Sequence, residues 1–355
     1  MKWPSHGSNP RYIYEAMNLP MPEKLIDLSA NINPLGPPSF LQEKWQGWFD
    51  KIRDYPDPDM NSLREAISVK ERVPIDSILI GNGGSELITL LGRMLARKNV
   101  LILQPAFSEY EKVCLANDCQ VFYHYLDKNW DFNMDDLLKK LEKMDAVFIC
   151  NPNNPTGVCF PYETIQRLAE ACHQLGVFLV IDEAFHDFWK NYQSLNPLLN
   201  DHENVILLRS LTKMYAIPGL RLGYLFASKT TIVKLTKHQP HWSVNAIALH
   251  AGEECLKDET FINQTIDYIE LEREKLFSFF KQEGFIVSPS EINFYLLKDP
   301  RIEDQLPLFE YLLRHGIVPR HTMNFPSLEG EWLRLAIKGT KENDRLLEVL
   351  MKWSS

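Results

Sequence analysis

Short runs of apolar residues alternate with longer amphipathic stretches between residues 78 and 228. Several of the short runs are apolar at consecutive positions, as parallel strands are when helices cover both faces of a sheet. The amphipathic stretches, among them Tyr162–Leu175 and residues 135–143, predict the covering helices. Gly176 is expected to end the first of these helices, just before the next strand. The strands are predicted at residues 78–80, 100–103, 121–125, 146–150, 177–181, 205–208 and 222–227.

The alternation of strands with helices predicts an α/β fold with a mostly parallel central sheet flanked by helices. Beyond residue 230 the pattern changes. A long amphipathic helix is expected at 261–283, short strands at 292–297 and 332–337, and a final helix from Lys341. This order indicates a smaller α+β domain that follows the large one.

We therefore divide the chain into three parts. Residues 36–234 are predicted to form the large domain and residues 235–355 the small C-terminal domain. Residues 1–35, with four prolines among the first 22 positions, are predicted to form an arm. This arm is expected to join the small domain or to pack on a partner subunit.

Composition narrows the range of partners. The chain has 355 residues and a formal net charge of −9, which argues against nucleic acid because phosphate neutralisation needs clustered basic residues. No apolar run approaches the ~18 residues of a membrane helix, and no apolar leader segment follows the first residues. The six cysteines form no C-x-x-C pair, which indicates reduced thiols and no metal site. We expect a cytoplasmic protein with no membrane partner.

A lysine lies among phosphate-binding side chains, between the strands predicted at 205–208 and 222–227. Lys213 follows Ser210 and Thr212 and precedes Arg221. Hydroxyl groups and a guanidinium can hold a phosphate dianion through several donors. A lysine beside such a site has the arrangement needed for a Schiff base with pyridoxal phosphate. Taken alone, Lys213 would be interpreted as a solvated loop lysine.

Two further polar residues follow predicted strands. Asp182 comes at the end of the run 177–181, the position where open α/β sheets bind ligands. An aspartate there can keep a pyridine nitrogen protonated, as electron acceptance from a substrate's Cα requires. Asn154, in the loop N-P-N-N-P-T-G, can donate to the phenolate oxygen of the same ring. The alternatives are a turn or helix cap for Asp182 and a plain turn-rich loop around Asn154.

A glycine-rich turn, G-N-G-G-S-E-L-I, joins the strand at 78–80 to a helical stretch. Backbone amides at a helix N-terminus bind anions. Glu86 stands where the dinucleotide fingerprint needs its third glycine, so a single phosphate is favoured over a dinucleotide. Phe107, in P-A-F-S-E-Y, can stack on an aromatic ring, and a core position is its alternative role.

In this order the motifs resemble those of the fold-type I pyridoxal-phosphate enzymes, and within them the histidinol-phosphate aminotransferase-like subgroup. The most specific are S-L-T-K…G-L-R-L-G and N-P-N-N-P-T-G. The resemblance implies catalytic roles for Lys213, as the Schiff-base lysine, and Asp182, as the pyridine partner. It also implies a homodimer with shared sites, in which Tyr55 reaches the cofactor phosphate of the neighbouring subunit. The other implied cofactor-binding residues are Asn154 at the ring oxygen, Phe107 on the ring face, and Gly84, Ser85, Ser210, Thr212 and Arg221 at the phosphate.

Within the subgroup, two reactions remain open: decarboxylation of L-threonine O-3-phosphate, which serves cobalamin biosynthesis, and amino transfer from histidinol phosphate. Three features resemble the decarboxylases. They are the opening H-G-S-N with S-A-N-I-N-P-L-G, the segment W-S-V-N-A, and Phe185, where the aminotransferases usually carry tyrosine. The alternative for the opening motif is an arm that binds no ligand. The alternative for Phe185 is a packing substitution that does not affect the reaction.

Arginines near the C-terminus are the candidates for binding a phosphorylated amino-acid substrate. The resemblance gives Arg334 the substrate carboxylate, which suits the bidentate geometry of a guanidinium. Arg320 is the candidate for the substrate phosphate. The remaining implied substrate-binding residues are His6, Gly7, Asn31 and Asn154.

Two residues depart from the decarboxylase pattern: Ser8 replaces the usual second glycine, and Lys338 stands where arginine is usual. Two other classes of function are less well supported. A non-catalytic regulator on this scaffold does not need Lys213, and an NAD-dependent oxidoreductase needs the glycine fingerprint that the turn lacks.

Overall fold

The computed structural model describes residue 3 and residues 7–354, and within them the strands form three sheets. The strands are β1 (Ile26–Asp27), β2 (Ile78–Gly81), β3 (Asn99–Gln104), β4 (Gln120–Tyr125), β5 (Ala146–Cys150), β6 (Phe178–Asp182), β7 (Val205–Ser210), β8 (Gly223–Phe226), β9 (Ile286–Val287), β10 (Phe294–Lys298), β11 (Ile317–Val318), β12 (Arg320–His321) and β13 (Leu333–Ala336). The helices are α1 (Pro10–Met17), α2 (Ser39–Trp48), α3 (Asn61–Glu71), α4 (Gly83–Met94), α5 (Glu109–Leu115), α6 (Met134–Leu141), α7 (Tyr162–Leu175), α8 (Leu198–Asp201), α9 (Leu211–Met214), α10 (Lys229–Thr236), α11 (Ala246–Cys255), α12 (Glu259–Gln282), α13 (Leu306–Arg314) and α14 (Thr340–Ser354).

The largest sheet has the strand order β2-β8-β7-β6-β5-β3-β4. From β7 to β4 neighbouring strands are parallel, and β8 is antiparallel to both of its neighbours. The predicted α/β fold with a mostly parallel sheet is confirmed. Because β5, β6 and β7 are adjacent and parallel, the residues that follow their carboxyl ends meet at one edge of the sheet.

The apolar runs are continuous because the sheet is buried on both faces. In β5, Val147 and Ile149 belong to one apolar cluster, whereas Phe148 and Cys150 belong to a second cluster. All five residues of this strand are buried. Alternate side chains thus pack beneath helices on opposite sides, which fixes the sheet and the edge where the polar residues lie.

The C-terminal part contains an antiparallel sheet, β12-β13-β10-β9. The N-terminal segment attaches to this part, because β1 pairs in parallel with β11. The amide of Leu28 donates to Val318 O (2.9 Å), and the amide of Ala336 donates to Leu28 O (2.8 Å). The Tyr14 hydroxyl, in a helix that the proline-rich sequence did not predict, donates to Leu313 O (2.7 Å). The predicted domain boundaries remain predictions.

The predicted elements agree with the structure to within a few residues. Helix α7 has the predicted bounds, and Gly176 ends it with a φ of 71°, a left-handed conformation that glycine adopts without strain. Helix α12 begins two residues earlier than predicted, because the Asp258 side chain accepts a hydrogen bond from the Phe261 amide (3.0 Å) and caps it.

All six cysteines are free thiols. Within the part of the chain that the structure describes, no helix has the length and apolar character needed to span a membrane.

Candidate active site

A cavity of about 420 Å³ lies at the edge of the large sheet where β5, β6 and β7 end. The loop after β1 and residues of β12 and β13 form its other wall. The predicted site residues that line it are Gly7, Asn31, Gly84, Ser85, Phe107, Asn154, Asp182, Ser210, Thr212, Lys213, Arg221, Arg320 and Arg334.

Lys213 lies in the short helix α9, directly after β7, and its side chain is partly buried. Burial, together with the nearby positive charges of Arg334 and Arg221, lowers the pKa of Lys213 to about 8, and the charge of Asp182 opposes this shift. A large fraction of this amine is therefore uncharged near pH 8, as a nucleophile must be.

Asn33 fixes the backbone around Lys213. Its backbone N–H donates to Lys213 O (3.1 Å), and its side-chain Nδ2 donates to Met214 O (2.7 Å) and to Thr265 Oγ1 (2.8 Å). The segment after β1 thus holds the short helix that carries the lysine in place.

Asp182 ends β6 and is buried at the cavity. The Tyr110 hydroxyl donates to Asp182 Oδ2 (2.5 Å), and the Ala184 amide donates to Asp182 Oδ1 (3.0 Å). Burial raises the pKa of Asp182, while both hydrogen bonds and the charge of Lys213 oppose that shift. The two donors fix the plane of the carboxyl group and favour its anionic form.

Asn154 connects the loop after β5 to the C-terminal sheet. Arg334 Nη1 donates to Asn154 Oδ1 (2.6 Å), and Arg334 Nη2 donates to Ser29 O (2.6 Å). Because a guanidinium only donates, the atom that faces it must be the amide oxygen. This orientation keeps the Asn154 NH₂ group for a hydrogen bond to another acceptor.

The N-terminus of α4 and Arg221 form a candidate phosphate site. Gly83 has a φ of 75°, and a Cβ atom on it would lie 2.4 Å from Arg221 Nη2. The left-handed backbone favours glycine there, and the absence of a Cβ atom lets the guanidinium approach closely. The helix N-terminus and the arginine together present positive charge to an anion.

Three hydroxyl side chains add to this site. Ser210 Oγ lies 2.8 Å from Thr212 Oγ1, and both are buried at the cavity. Ser85, in the first turn of α4, lines the same cavity. Together with Arg221, these groups match the donor set predicted for a phosphate dianion.

Two arginines face each other across β12 and β13. Arg320 and Arg334 occupy directly opposed positions, and both are at least 94% buried. Burial lowers the pKa of Arg334 to about 9, with a further contribution from the charge of Arg320, and burial lowers the pKa of Arg320 to about 10. Opposed like charges destabilise a sheet. An anionic ligand bound between them would offset that cost.

The N-terminal segment closes the cavity near these arginines. The Ser8 amide donates to Ser29 Oγ (2.9 Å), and that hydroxyl donates to Asp27 Oδ1 (2.6 Å). A Cβ atom on Gly7 would lie 2.2 Å from Ser29 O, so this contact requires glycine. Ser8 has a φ of 68°, a conformation that favours the glycine it replaces. Asn31 Oδ1 is buried at the cavity and makes no hydrogen bond within the described residues.

Lys338 does not reach the cavity wall. Its Nζ donates to Ala30 O (3.2 Å), and burial lowers its pKa, with Asp27 opposing. The lysine thus supports the loop that carries Asn31. Phe185 lines the cavity and packs edge-on against Phe294, at a centroid distance of 4.8 Å.

Tyr55 lies away from the cavity of its own chain. It is 80% exposed, lies beside Trp242 at a centroid distance of 4.7 Å, and lines a separate surface depression. Its predicted contact with a neighbouring subunit stays a prediction. The predicted role of His6 concerns a residue outside the described part of the chain.

Comparison of the sequence with known proteins shows the family to which the chain belongs. Residues 23–350 match the family model described as aminotransferase class I and II. The chain belongs to the class I and II aminotransferase family.

Three relatives of this family illustrate the similarity. The chain is 35% identical to the threonine-phosphate decarboxylase of Salmonella typhimurium, over 98% of this chain and 95% of that protein. It is 33% identical to the adenosylcobalamin biosynthesis bifunctional protein CobDQ of Leptospira interrogans, over 98% of this chain and 41% of that longer protein. The solved histidinol-phosphate aminotransferase of Clostridium acetobutylicum superposes with a TM-score of 0.87 and 30% identity, over 92% of this chain and 98% of that one.

Three residues of this aminotransferase-family site were not predicted. They are Tyr110, which donates to Asp182; Asn33, which holds the Lys213 segment; and Ser29, which accepts from Arg334. All three lie within motifs that the sequence analysis quoted, Tyr110 in P-A-F-S-E-Y and Ser29 and Asn33 in S-A-N-I-N-P-L-G. Their roles could not be assigned from the sequence, because each acts on a partner more than 70 positions away in the chain.

Proposed function

We propose that this chain is a pyridoxal-phosphate-dependent decarboxylase that converts L-threonine O-3-phosphate to (R)-1-amino-2-propanol O-2-phosphate and CO₂ in cobalamin biosynthesis. The similarity to the Salmonella decarboxylase and to the Leptospira cobalamin protein supports the substrate and the pathway. The family supports the cofactor.

The residues present fit pyridoxal phosphate. The N-terminus of α4 presents its amides beside Arg221, whose guanidinium approaches Gly83 closely, and can hold the phosphate group. Asp182 would face the pyridine nitrogen, and the Asn154 amide would donate to the ring oxygen. Lys213, with a pKa lowered to about 8, would carry the cofactor covalently.

When bound, the cofactor supplies a ring that accepts the electron pair released at the substrate's Cα. The chain's own residues decide which bond breaks. Arg334 would bind the carboxylate and Arg320 the phosphate, and these two contacts fix the rotation of the substrate. The bond between Cα and the carboxylate carbon would break and CO₂ would leave. Lys213, in its protonated ammonium form, would then donate the proton that takes the place of the carboxylate at Cα.

One observation carries this proposal: the opposed, buried Arg320 and Arg334 in the cavity that also contains Lys213. Threonine phosphate bears both a carboxylate and a phosphate, so a single substrate molecule offers one anionic group to each arginine. Histidinol phosphate bears only the phosphate, and in the alternative reaction a carboxylate would reach Arg334 only with the second substrate, 2-oxoglutarate. Phe185 adds support, because it offers no hydroxyl at a position where the resemblance gives aminotransferases a tyrosine.

Amino transfer from histidinol phosphate is the alternative, and the similarity to the Clostridium aminotransferase favours it. The two reactions are distinguished by assaying the purified protein in parallel. We expect CO₂ release from L-threonine O-3-phosphate to exceed amino transfer from histidinol phosphate to 2-oxoglutarate. Dominant amino transfer would establish the alternative.

We further propose that the chain acts as a cytoplasmic homodimer with shared active sites. Five large exposed apolar side chains support the dimer, because large exposed apolar groups occur at interaction surfaces, and two of them, Tyr55 and Trp242, lie side by side. Size-exclusion chromatography with light scattering tests the dimer. Tyr55→Phe should weaken cofactor binding without dissociating the dimer, and an unchanged affinity would remove Tyr55 from the site. The exposed side chains are Trp45, Phe49, Ile52, Tyr55 and Trp242.

A further inference from the structure

An aromatic ring forms the wall of the cavity beside Arg320. Phe325 lines the cavity and is 6% exposed, and the Arg320 guanidinium lies 5.5 Å from the centre of its ring. The ring therefore contacts the space where Arg320 would bind a phosphate group.

The position of this ring is fixed from behind. Phe325 forms a small buried cluster with Leu296 and Leu328, against which Trp130 and Trp332 pack. The backbone is held as well, because the Phe325 amide donates to Thr322 O (2.9 Å) and Phe325 O accepts from the Leu328 amide (3.1 Å). A wall supported in this way can discriminate between substrates by shape.

The chemistry of the substrate determines what lies next to this wall. In threonine O-3-phosphate, one carbon, Cβ, bears both the phosphate oxygen and the methyl group. If Arg334 holds the carboxylate and Arg320 the phosphate, Cβ is fixed between them and the methyl group stays close to the phosphate site. Phe325 is the apolar side chain that packs on Arg320 there. Ile32, from the loop after β1, lines the cavity too and is the competing contact.

We propose that Phe325 is a specificity-determining residue that recognises the β-methyl group and so makes the enzyme prefer threonine phosphate to serine phosphate. This inference rests on the proposed decarboxylase function. A single methyl group in an apolar pocket changes kcat/KM by about 10- to 200-fold. We expect a preference of that order in the wild-type enzyme.

The test compares kcat/KM for CO₂ release from L-threonine O-3-phosphate and L-serine O-phosphate in the holoenzyme. Phe325→Ala should reduce the preference to about threefold or less, mainly by lowering kcat/KM for threonine phosphate. Phe325→Leu, which keeps apolar bulk but removes the aromatic face, should retain most of the preference. Phe277→Ala, a truncation outside the cavity, should leave the preference unchanged.

Three results would overturn the inference. An equal loss of kcat/KM with both substrates in Phe325→Ala would mean that the ring only supports Arg320. Loss of the preference in Ile32→Ala, with Phe325→Ala unchanged, would move the methyl contact to Ile32. A wild-type enzyme that decarboxylates both compounds equally would remove the discrimination itself. A wild-type enzyme that releases no CO₂ from either compound would instead refute the proposed function.

Discussion

The Tyr110 hydroxyl donates a hydrogen bond of 2.5 Å to Oδ2 of the buried Asp182. This bond opposes the effect of burial, which raises the pKa of Asp182. The anionic carboxyl group can therefore persist in the cavity even though it is removed from water. Tyr110 acts through Asp182 and is a positioning residue.

Tyr110→Phe should shift the acid limb of the kcat profile to higher pH. Without the donor, burial raises the pKa of Asp182 further, so the anion is lost at a higher pH as the solution is acidified. A net hydrogen bond contributes about 0.5–1.5 kcal/mol, so kcat at the acid end should fall roughly 2- to 12-fold. The measurement is kcat against pH, together with the pH titration of the cofactor's absorbance.

A matched control is Tyr295→Phe. Tyr295 is also fully buried, but its hydroxyl makes no hydrogen bond to any described residue. Removal of the Tyr295 hydroxyl should leave the dependence of kcat on pH unchanged. Identical profiles for wild type and Tyr110→Phe would contradict the role assigned to this hydrogen bond.

Arg334→Gln should impair the use of the substrate far more than the binding of the cofactor. Charge-assisted hydrogen bonds contribute about 1.5–3 kcal/mol, so kcat/KM for threonine phosphate should fall roughly 10- to 150-fold. The dissociation constant of pyridoxal phosphate should change little. Arg320→Gln should behave alike, whereas Arg345→Gln, at a surface ion pair with Glu348, should have no effect. If Arg334→Gln lost the cofactor instead, the assignment of Arg334 to the substrate carboxylate would be wrong.

The rate at which cofactor-free protein takes up pyridoxal phosphate should depend on the charge of Lys213. Only the neutral amine attacks an aldehyde, and the pKa of Lys213 is lowered to about 8. The rate should therefore rise as the pH increases through about 8 and level off above it. In Arg334→Gln a positive charge that lowers this pKa is gone, so the rise should move to higher pH. A profile that is flat between pH 7 and 9 would contradict the electrostatics described here.

Sequence patterns predicted the large sheet because its strands are buried on both faces and read as continuous apolar runs. They did not predict β1 or β11, since a two-residue strand has no measurable period and forms only through its tertiary partner. The resemblance assigned Lys213 and Asp182 to one site, and the structure places both at one cavity.

Long-range pairing explains what the sequence could not predict. Arg320 and Arg334 are separated by 14 positions in the chain, and only the antiparallel register of β12 and β13 places them opposite each other. In the same way, the contact between Ser29 and Arg334 joins the two ends of the chain. Neither relationship leaves a local pattern of spacing or polarity.

The side chain to which the cofactor is attached decides whether this cavity is a pyridoxal-phosphate site. The holoenzyme should be reduced with borohydride, which makes an imine permanent, then digested and mapped by mass spectrometry. We expect one modified peptide, carrying the reduced cofactor on Lys213, and no such peptide from Lys213→Ala. A modified peptide at another lysine, with Lys213 unmodified, would contradict the role given to Lys213.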